Sequence, residues 1–197
     1  MNTLSQIESR SQASQRSTAP VAPVVDTLFD RVLPIVPGLI ARLERGIDVL
    51  DIGRGTARAL TDLAFTYPQS RFTGVDLSAE AISAARAEAG RFGLDNVVFE
   101  VRDIADVFAP KAYDLVTASD VIHARAEPER LLRSIRQSLR TGGVFLIREP
   151  RFAGHRHRGA AGGDDLACQM LRRAGFGQIT VKSLPHDPIH FYYVMPV

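Results

Sequence analysis

The segment Asp51-Ile52-Gly53-Arg54-Gly55-Thr56-Ala57 places one acid and two glycines where a short apolar run meets a helical pattern. A glycine at position 53 turns tightly without a Cβ penalty, and Gly55 lets a ligand approach the backbone. The helix that follows presents unpaired N–H groups to the same space. Glycine pairs of this kind also make plain turns, so the acids downstream carry the weight. Asp76 follows the glycines by roughly 20 residues, the interval at which a carboxylate meets a ribose, and it can accept from both ribose hydroxyls. Its alternative role is an acid at a helix N-terminus, interacting favourably with the helix dipole. Asp103 closes a third apolar run and can accept from an adenine amino group. Three acids ending three successive strands point to a nucleoside-like ligand.

The elements that must position these residues read as alternating strands and helices. IDVLDI (47–52), RFTGVD (71–76), NVVFEVRD (96–103), YDLVTASD (113–120) and VFLIRE (144–149) are short apolar runs, as expected of parallel strands buried on both faces. Between them lie helical stretches: 56–67, stopped by Pro68; 79–92, with Ser78 as N-cap and Gly93 as stop; and 127–140, with Leu131, Leu132, Ile135 and Leu139 on one face. Gly142-Gly143 then turns into the fifth strand. A loop leads to a helix capped by Asp164 or Asp165 and stopped by Gly175. QITVKSL (178–184) and IHFYYVMPV (189–197) are a final strand pair with no helix between, which makes the last strand antiparallel. Upstream, Val25 to Leu43 has helical spacing divided by Pro34 and Pro37. The fold class is α/β, a Rossmann-like doubly wound seven-stranded sheet, mostly parallel with an antiparallel final strand. Residues 1–20 lack large apolar side chains and are expected to be a disordered tail, leaving 21–197 as one ligand-binding domain with N-terminal helices.

Composition narrows the partners. The 197 residues carry a net charge of only +2. All the basic residues except Lys111 and Lys182 are arginines, scattered among acids rather than gathered in a stripe, so no nucleic acid is expected as partner. No apolar run reaches the roughly 18 residues of a membrane span, and the N-terminus lacks the pattern of a secretory signal. Cys168 is the single cysteine, as suits a reducing cytoplasm. The expectation is a cytoplasmic protein with no membrane partner, compatible with a homodimer.

VLDIGRGTA, FTGVDLS, FEVRDIAD, YDLVTASDVIHA and LRTGGVFLIREP together resemble the successive motifs of class I S-adenosylmethionine-dependent methyltransferases. The stretch 28–197, through FDRVLPIVPGLIARLERGIDVLDIG and HDPIHFYYV, is similar to the catalytic half of bacterial methyltransferases that carry an N-terminal winged helix. The resemblance implies S-adenosylmethionine as cofactor and a small-molecule methyl acceptor. It implies that Asp51, Gly53 and Gly55 surround the methionine end and Asp76 binds ribose. Leu77 would pack beside adenine, and Asp103 would lie near its amino group with Ile104 in the same binding set. Ser119 and Asp120 would border the methyl-transfer site. Arg54 stands where the family commonly has a small residue or cysteine, and the connection after the fifth strand is short for a substrate cover.

Methyl transfer needs a base only when the acceptor is protonated. His123, just past the fourth strand, is the candidate, its alternative being to pack over the cofactor and bond to backbone. His155, His157, His186 and His190 lack the cysteines or carboxylate partners of a metal site, so no metal is expected. Strand alternation assigns one of Tyr192 and Tyr193 to the core and the other to the surface. Phe152 would shape the substrate mouth or anchor its loop, and Cys168 is expected to be a buried helix residue. Two functions compete: a methyltransferase acting on a small molecule, and a protein of that fold that binds the cofactor without transferring methyl. A nicotinamide dehydrogenase fits less well, because Arg58 occupies the last glycine position of the dinucleotide fingerprint.

Overall fold

The computed structural model describes residues 31–53, 57–103, 109–120, 128–151 and 166–197. Seven strands form one sheet: β1 (Asp48–Ile52), β2 (Arg71–Asp76), β3 (Val97–Val101), β4 (Tyr113–Ser119), β5 (Leu139–Pro150), β6 (Thr180–Leu184) and β7 (Asp187–Pro196). Their order is β3-β2-β1-β4-β5-β7-β6. The first five strands run parallel, and β7 pairs antiparallel with both β5 and β6. The expected architecture is therefore present, with β7 inserted between β5 and the edge strand β6. The order reverses between β1 and β4, and sheets of this kind take ligands beyond the carboxyl ends of their strands near such a reversal.

Each face of the sheet has its own core. One contains Leu50, Ile52, Val116, Phe145 and Ile147 under α4 (Pro128–Ser138) and α5 (Leu166–Arg173). The other contains Val49, Phe72, Leu115, Leu146 and Val194 under α1 (Leu39–Arg45), α2 (Ala57–Thr66) and α3 (Ala79–Arg91). A short 3-10 turn at Leu33–Ile35, with Pro34 in its first turn, precedes α1, as the two prolines require. Ser78 Oγ accepts from the Ala81 N–H at 3.1 Å, confirming the cap of α3. Cys168 is fully buried in α5.

Three details depart from expectation. The helix expected to run to Arg140 ends at Ser138, and Leu139 and Arg140 already belong to β5. Gly142 takes φ +80°, and a Cβ on Gly143 would lie 2.8 Å from the Arg140 carbonyl oxygen. The glycine pair thus forms an irregularity inside the strand, where the β4–β5 register shifts, rather than a turn before it. Tyr192 and Tyr193 are both buried, 4% and 2% exposed. Alternation assigned one to the surface, but β7 is an interior strand covered on both faces.

At the amino end of the sheet the charges are tied together. Arg71 donates to both Asp48 oxygens at 2.7 and 3.0 Å. Arg140 reaches Asp48 at 2.8 Å and Asp114 at 2.5 Å. Asp114 also accepts from the Asp48 N–H at 3.0 Å. The Arg71 hydrogen bond is the largest influence on Asp48 and, with Arg140, holds its carboxyl below the usual range despite burial. Asn96 Nδ2 donates to the carbonyls of Ala64, Tyr67 and Ser70, closing the end of α2.

Candidate functional site

β1 delivers Asp51 and Gly53 to the carboxyl end of the sheet. Gly53 has φ +93°, a left-handed conformation costly for any other residue, and its N–H donates to the Val75 carbonyl at 3.1 Å. This turn fastens the end of β1 to β2 and opens the cleft between them. Asp51, Gly53, Gly74, Asp76 and Ala81 help line that cleft, which holds about 290 Å³ of empty space, part of it open to solvent. Gly74 leaves no room behind the wall, since a Cβ there would lie 2.7 Å from the Phe99 ring and 3.0 Å from Leu60.

Asp51 sits deep in the cleft with only a fraction of its surface reaching the open space. Thr117 Oγ1 donates to Asp51 Oδ1 at 2.5 Å. Burial pushes the Asp51 carboxyl up to about 6, against the pull of the Thr117 bond and the positive charge of Arg148, with Asp76 adding to the rise. An acid in this state is completed by a cation.

Asp76 ends β2 and its Oδ1 accepts from the Ser78 N–H at 2.8 Å. One oxygen thus organises the entry to α3, as the helix-end alternative supposed. The second has no hydrogen bond among the described residues. Leu77 follows with 58% of its surface exposed, unusual for leucine and open to a flat apolar ligand. The Arg102 N–H donates to the Asp76 carbonyl at 3.0 Å, which brings the exposed Asp103 to the same end of the sheet. β4 brings up half-buried Ser119 and then Asp120, whose φ of +59° is rare for a side-chain-bearing residue. Asp51, Gly53 and Asp76 therefore share one cleft, Leu77 and Asp103 flank the adjoining strand ends, and Ser119 and Asp120 stand one strand over. Gly55, Ile104, His123, Arg54, Phe152, His155, His157, Asp164 and Asp165, with the tail at 1–20, lie outside the described residues.

The sequence reading missed a polar cluster on the same side. The β4–β5–β7 register sets Ser119 against Arg148, and Arg148 against Tyr192. Arg148 Nη2 donates to Asp120 Oδ2 at 3.4 Å. His190 Nδ1 lies 2.6 Å from Asp187 Oδ1, and Tyr192 Oη donates to Asp187 Oδ2 at 2.7 Å. Burial and the Asp187 carboxylate raise the Tyr192 hydroxyl, keeping it a donor. The available signal was the hairpin: antiparallel pairing of β7 with β5 puts positions 190 and 192 on the face of 148. Glu149, 4% exposed, is a further buried acid at the end of β5. Among the described residues no three histidine, cysteine or acidic side chains gather as a metal site, and no described helix is long and apolar enough to cross a membrane.

Comparison with known proteins places the chain. A family described as "Methyltransferase domain" matches residues 43–174. The polyketide synthase component of compactin nonaketide synthase from Penicillium citrinum is 31% identical over 191 residues, covering 81% of this chain and 6% of that protein. The chain thus spans a small fraction of the curated relatives it matches. The carbon methyltransferase of CurJ has the same fold, with TM-score 0.62 and 18% identity, covering 88% of this chain and 53% of that one. So does a SAM-dependent methyltransferase from Aquifex aeolicus, with TM-score 0.61 and 19% identity over 79% of this chain and 85% of that one.

Proposed function

The chain belongs to the methyltransferase-domain family, matched over 43–174, and from that premise we propose that it transfers the methyl group of S-adenosylmethionine to an activated carbon of a small molecule. The acceptor class is a carbon acid, a methylene flanked by two carbonyls as in a polyketide chain. The curated relatives and the CurJ carbon methyltransferase support that class. The lone Cys168 suits a cytoplasmic setting, and the reading requires no nucleic acid, membrane or second subunit.

One observation carries the reading: a cleft at the carboxyl ends of β1 and β2 contains both a buried acid and a strand-end acid with an oxygen to spare. These residues fit the cofactor. Asp51 would hold its ammonium, the turn at Gly53 would admit its methionine end, and Asp76 would take the ribose hydroxyls. Leu77 would cover one face of adenine, with Asp103 at its amino edge and Ser119 and Asp120 beside the transfer site. When bound, the cofactor supplies an electrophilic methyl on a sulfonium. The protein's share is orientation, which can provide much of the acceleration of a displacement between two held partners.

Calorimetry with S-adenosylmethionine, followed by a product assay with acetoacetyl-N-acetylcysteamine thioester, tests this reading. Binding with formation of S-adenosylhomocysteine and a C-methylated thioester is the expected result. Binding without turnover would favour the protein that holds the cofactor and does not transfer methyl. No binding at saturating cofactor would end both.

A further inference from the structure

Along the chain the arginines are scattered, but the two helices over one face of the sheet gather five of them. α4 supplies Arg130, Arg133 and Arg136, α5 supplies Arg172 and Arg173, and Glu129 is the only acid of either helix. The pair of helices is net +4 where the whole chain is +2, which leaves the rest at −2. At 3.6 residues per turn Arg130, Arg133 and Arg136 fall within about 120° on the outer side of α4, and all three are exposed. The single acid sits between the helices. Glu129 accepts from Arg133 at 3.1 Å and from Arg173 of α5 at 3.4 Å, and these two arginines remain 56% and 66% exposed. Arg136 lies across Gly175 at the end of α5, where a Cβ would meet its Nε at 3.3 Å. Arg130 and Arg136 have no ion pair among the described residues. Two guanidiniums thus converge on one carboxylate, and two beside them have none.

We propose that the outer face of α4 and α5 docks an acidic helix of a partner protein, with Arg130, Arg133, Arg136 and Arg173 as its contacts. Glu129 holds one of the partner's places in the free protein. The rest of the face decides the occupant. Leu166, at the start of α5, is the only large apolar side chain exposed on the two helices. The face therefore has no ring on which a base stacks and no apolar row to enter a bilayer. It offers guanidiniums at helical spacing, and a helix with acids three and four residues apart presents carboxylates at a matching interval of about 5–6 Å. Arginine pairs with carboxylates through two parallel hydrogen bonds. Because the contacts are exposed, they steer a transient encounter that salt weakens. The cleft that holds Asp51 and Asp76 lies under α3 on the opposite face, so docking leaves it open. The proposal does not rest on the methyl-transfer reading.

The probe is a labelled peptide of about 20 residues, long enough to hold a helix, made of alanine with glutamates alternately three and four residues apart. Fluorescence anisotropy with the full chain should show binding that weakens as salt is raised, and no binding of the same peptide with glutamine for glutamate. Arg133→Ala combined with Arg173→Ala should bind about tenfold more weakly, as for the loss of two exposed ion pairs. The melting temperature and S-adenosylmethionine binding of that variant should match the wild type. Glu129→Gln should bind about threefold more tightly, because it frees both guanidiniums for the peptide. Glu44→Gln changes the net charge equally from an exposed position on α1, outside this face, and should leave binding unchanged. If the double variant fails to fold, Arg130→Glu reads the same face and should also weaken binding. Absence of peptide binding at low salt, undiminished binding by the double variant, or an equal gain in Glu44→Gln overturns the proposal. So does single-stranded DNA of equal charge, or a phosphatidylserine vesicle, that binds more tightly at the same salt and loses affinity in the double variant. A wild-type chain that sediments as a dimer, and as a monomer once Arg133 and Arg173 are replaced, would give the face to a second copy instead.

Discussion

Asp48 and Asp51 lie three residues apart on β1, and their surroundings drive them in opposite directions. Asp48, at the amino end, takes three hydrogen bonds from Arg71 and Arg140, and its carboxyl is held low. Asp51, at the carboxyl end, has Thr117 and a more distant guanidinium, and burial pushes it up to about 6. β4 repeats the contrast. Asp114 is met by Arg140 at the amino end, while Asp120 at the other end keeps a buried oxygen without a partner among the described residues. One edge of the sheet is electrostatically complete and holds strands together. The other carries acids that are unfavourable until something with donors or positive charge arrives, which is how a site prepared for a ligand differs from a structural one.

The largest way to break this contrast is Asp51→Asn. A folded-state pKa raised above the unfolded one means the native protein binds the proton more tightly. Stability from that proton is fully present below about 4 and lost as pH rises through about 6. At pH 8 the ionised acid therefore costs on the order of 3 kcal/mol, from about two pKa units. The Asp51→Asn variant should melt higher than the wild type at pH 8 and equally at pH 4. The same change should weaken S-adenosylmethionine binding by about 1.5–3 kcal/mol, the range for a charged hydrogen bond. A variant that melts lower at pH 8, or binds the cofactor equally well, removes Asp51 from the unfinished end.

Asp76 sharpens the comparison, because one of its oxygens does structural work. Asp76→Ala should lose about 1.5–3 kcal/mol of cofactor affinity and only about 1 kcal/mol of stability from the Ser78 turn, as for a lost helix cap. Equal losses in a melting curve and a titration would make it a structural acid. Gly74→Ala tests the wall between these two acids. Its Cβ would press on the Phe99 ring at 2.7 Å, and Phe99 is itself buried. Overpacking of this kind costs about 1–3 kcal/mol, read as a lower melting temperature, and an unchanged melting point would mean that the wall yields.

The strands, the cap at Ser78 and the cleft acids Asp51 and Asp76 were legible because each rests on local signals: apolar runs, a hydroxyl before a helix, an acid at a strand end. The misses are non-local. Leu139 fits the apolar face of α4 by period, and only the bulge at Gly142 and Gly143 against β4 draws it into β5. One of Tyr192 and Tyr193 reads as a surface residue by alternation until β7 is found inside the sheet with both buried. His190 reads in the sequence as a histidine without a carboxylate partner, whereas Asp187, three residues before it on the same strand, lies against its ring. The Arg148–Asp120 contact depends on register between strands nearly thirty residues apart, which no spacing along the chain expresses.

The smallest expected effect belongs to the finished end, and its direction completes the comparison. Arg140 bridges Asp48 and Asp114 while 39% exposed, so solvent screens much of its charge. Arg140→Ala should cost only about 1 kcal/mol, the upper range for an exposed pair, because one guanidinium serves two acids. Asp48 has a lowered carboxyl, so its contribution is present above its unfolded pKa and is lost as pH falls through the folded one. The stability gap between wild type and Arg140→Ala should therefore be established by pH 5, hold to pH 8 and close in stronger acid. For Asp51→Asn the gap has the opposite sign and grows as pH rises through about 6. Cofactor titrations on Arg140→Ala should match the wild type, since Arg140 meets its acids at the far end of β1. Weakened cofactor binding in that variant would show that the two ends of the strand are coupled, and the division between a finished and an unfinished edge would fail.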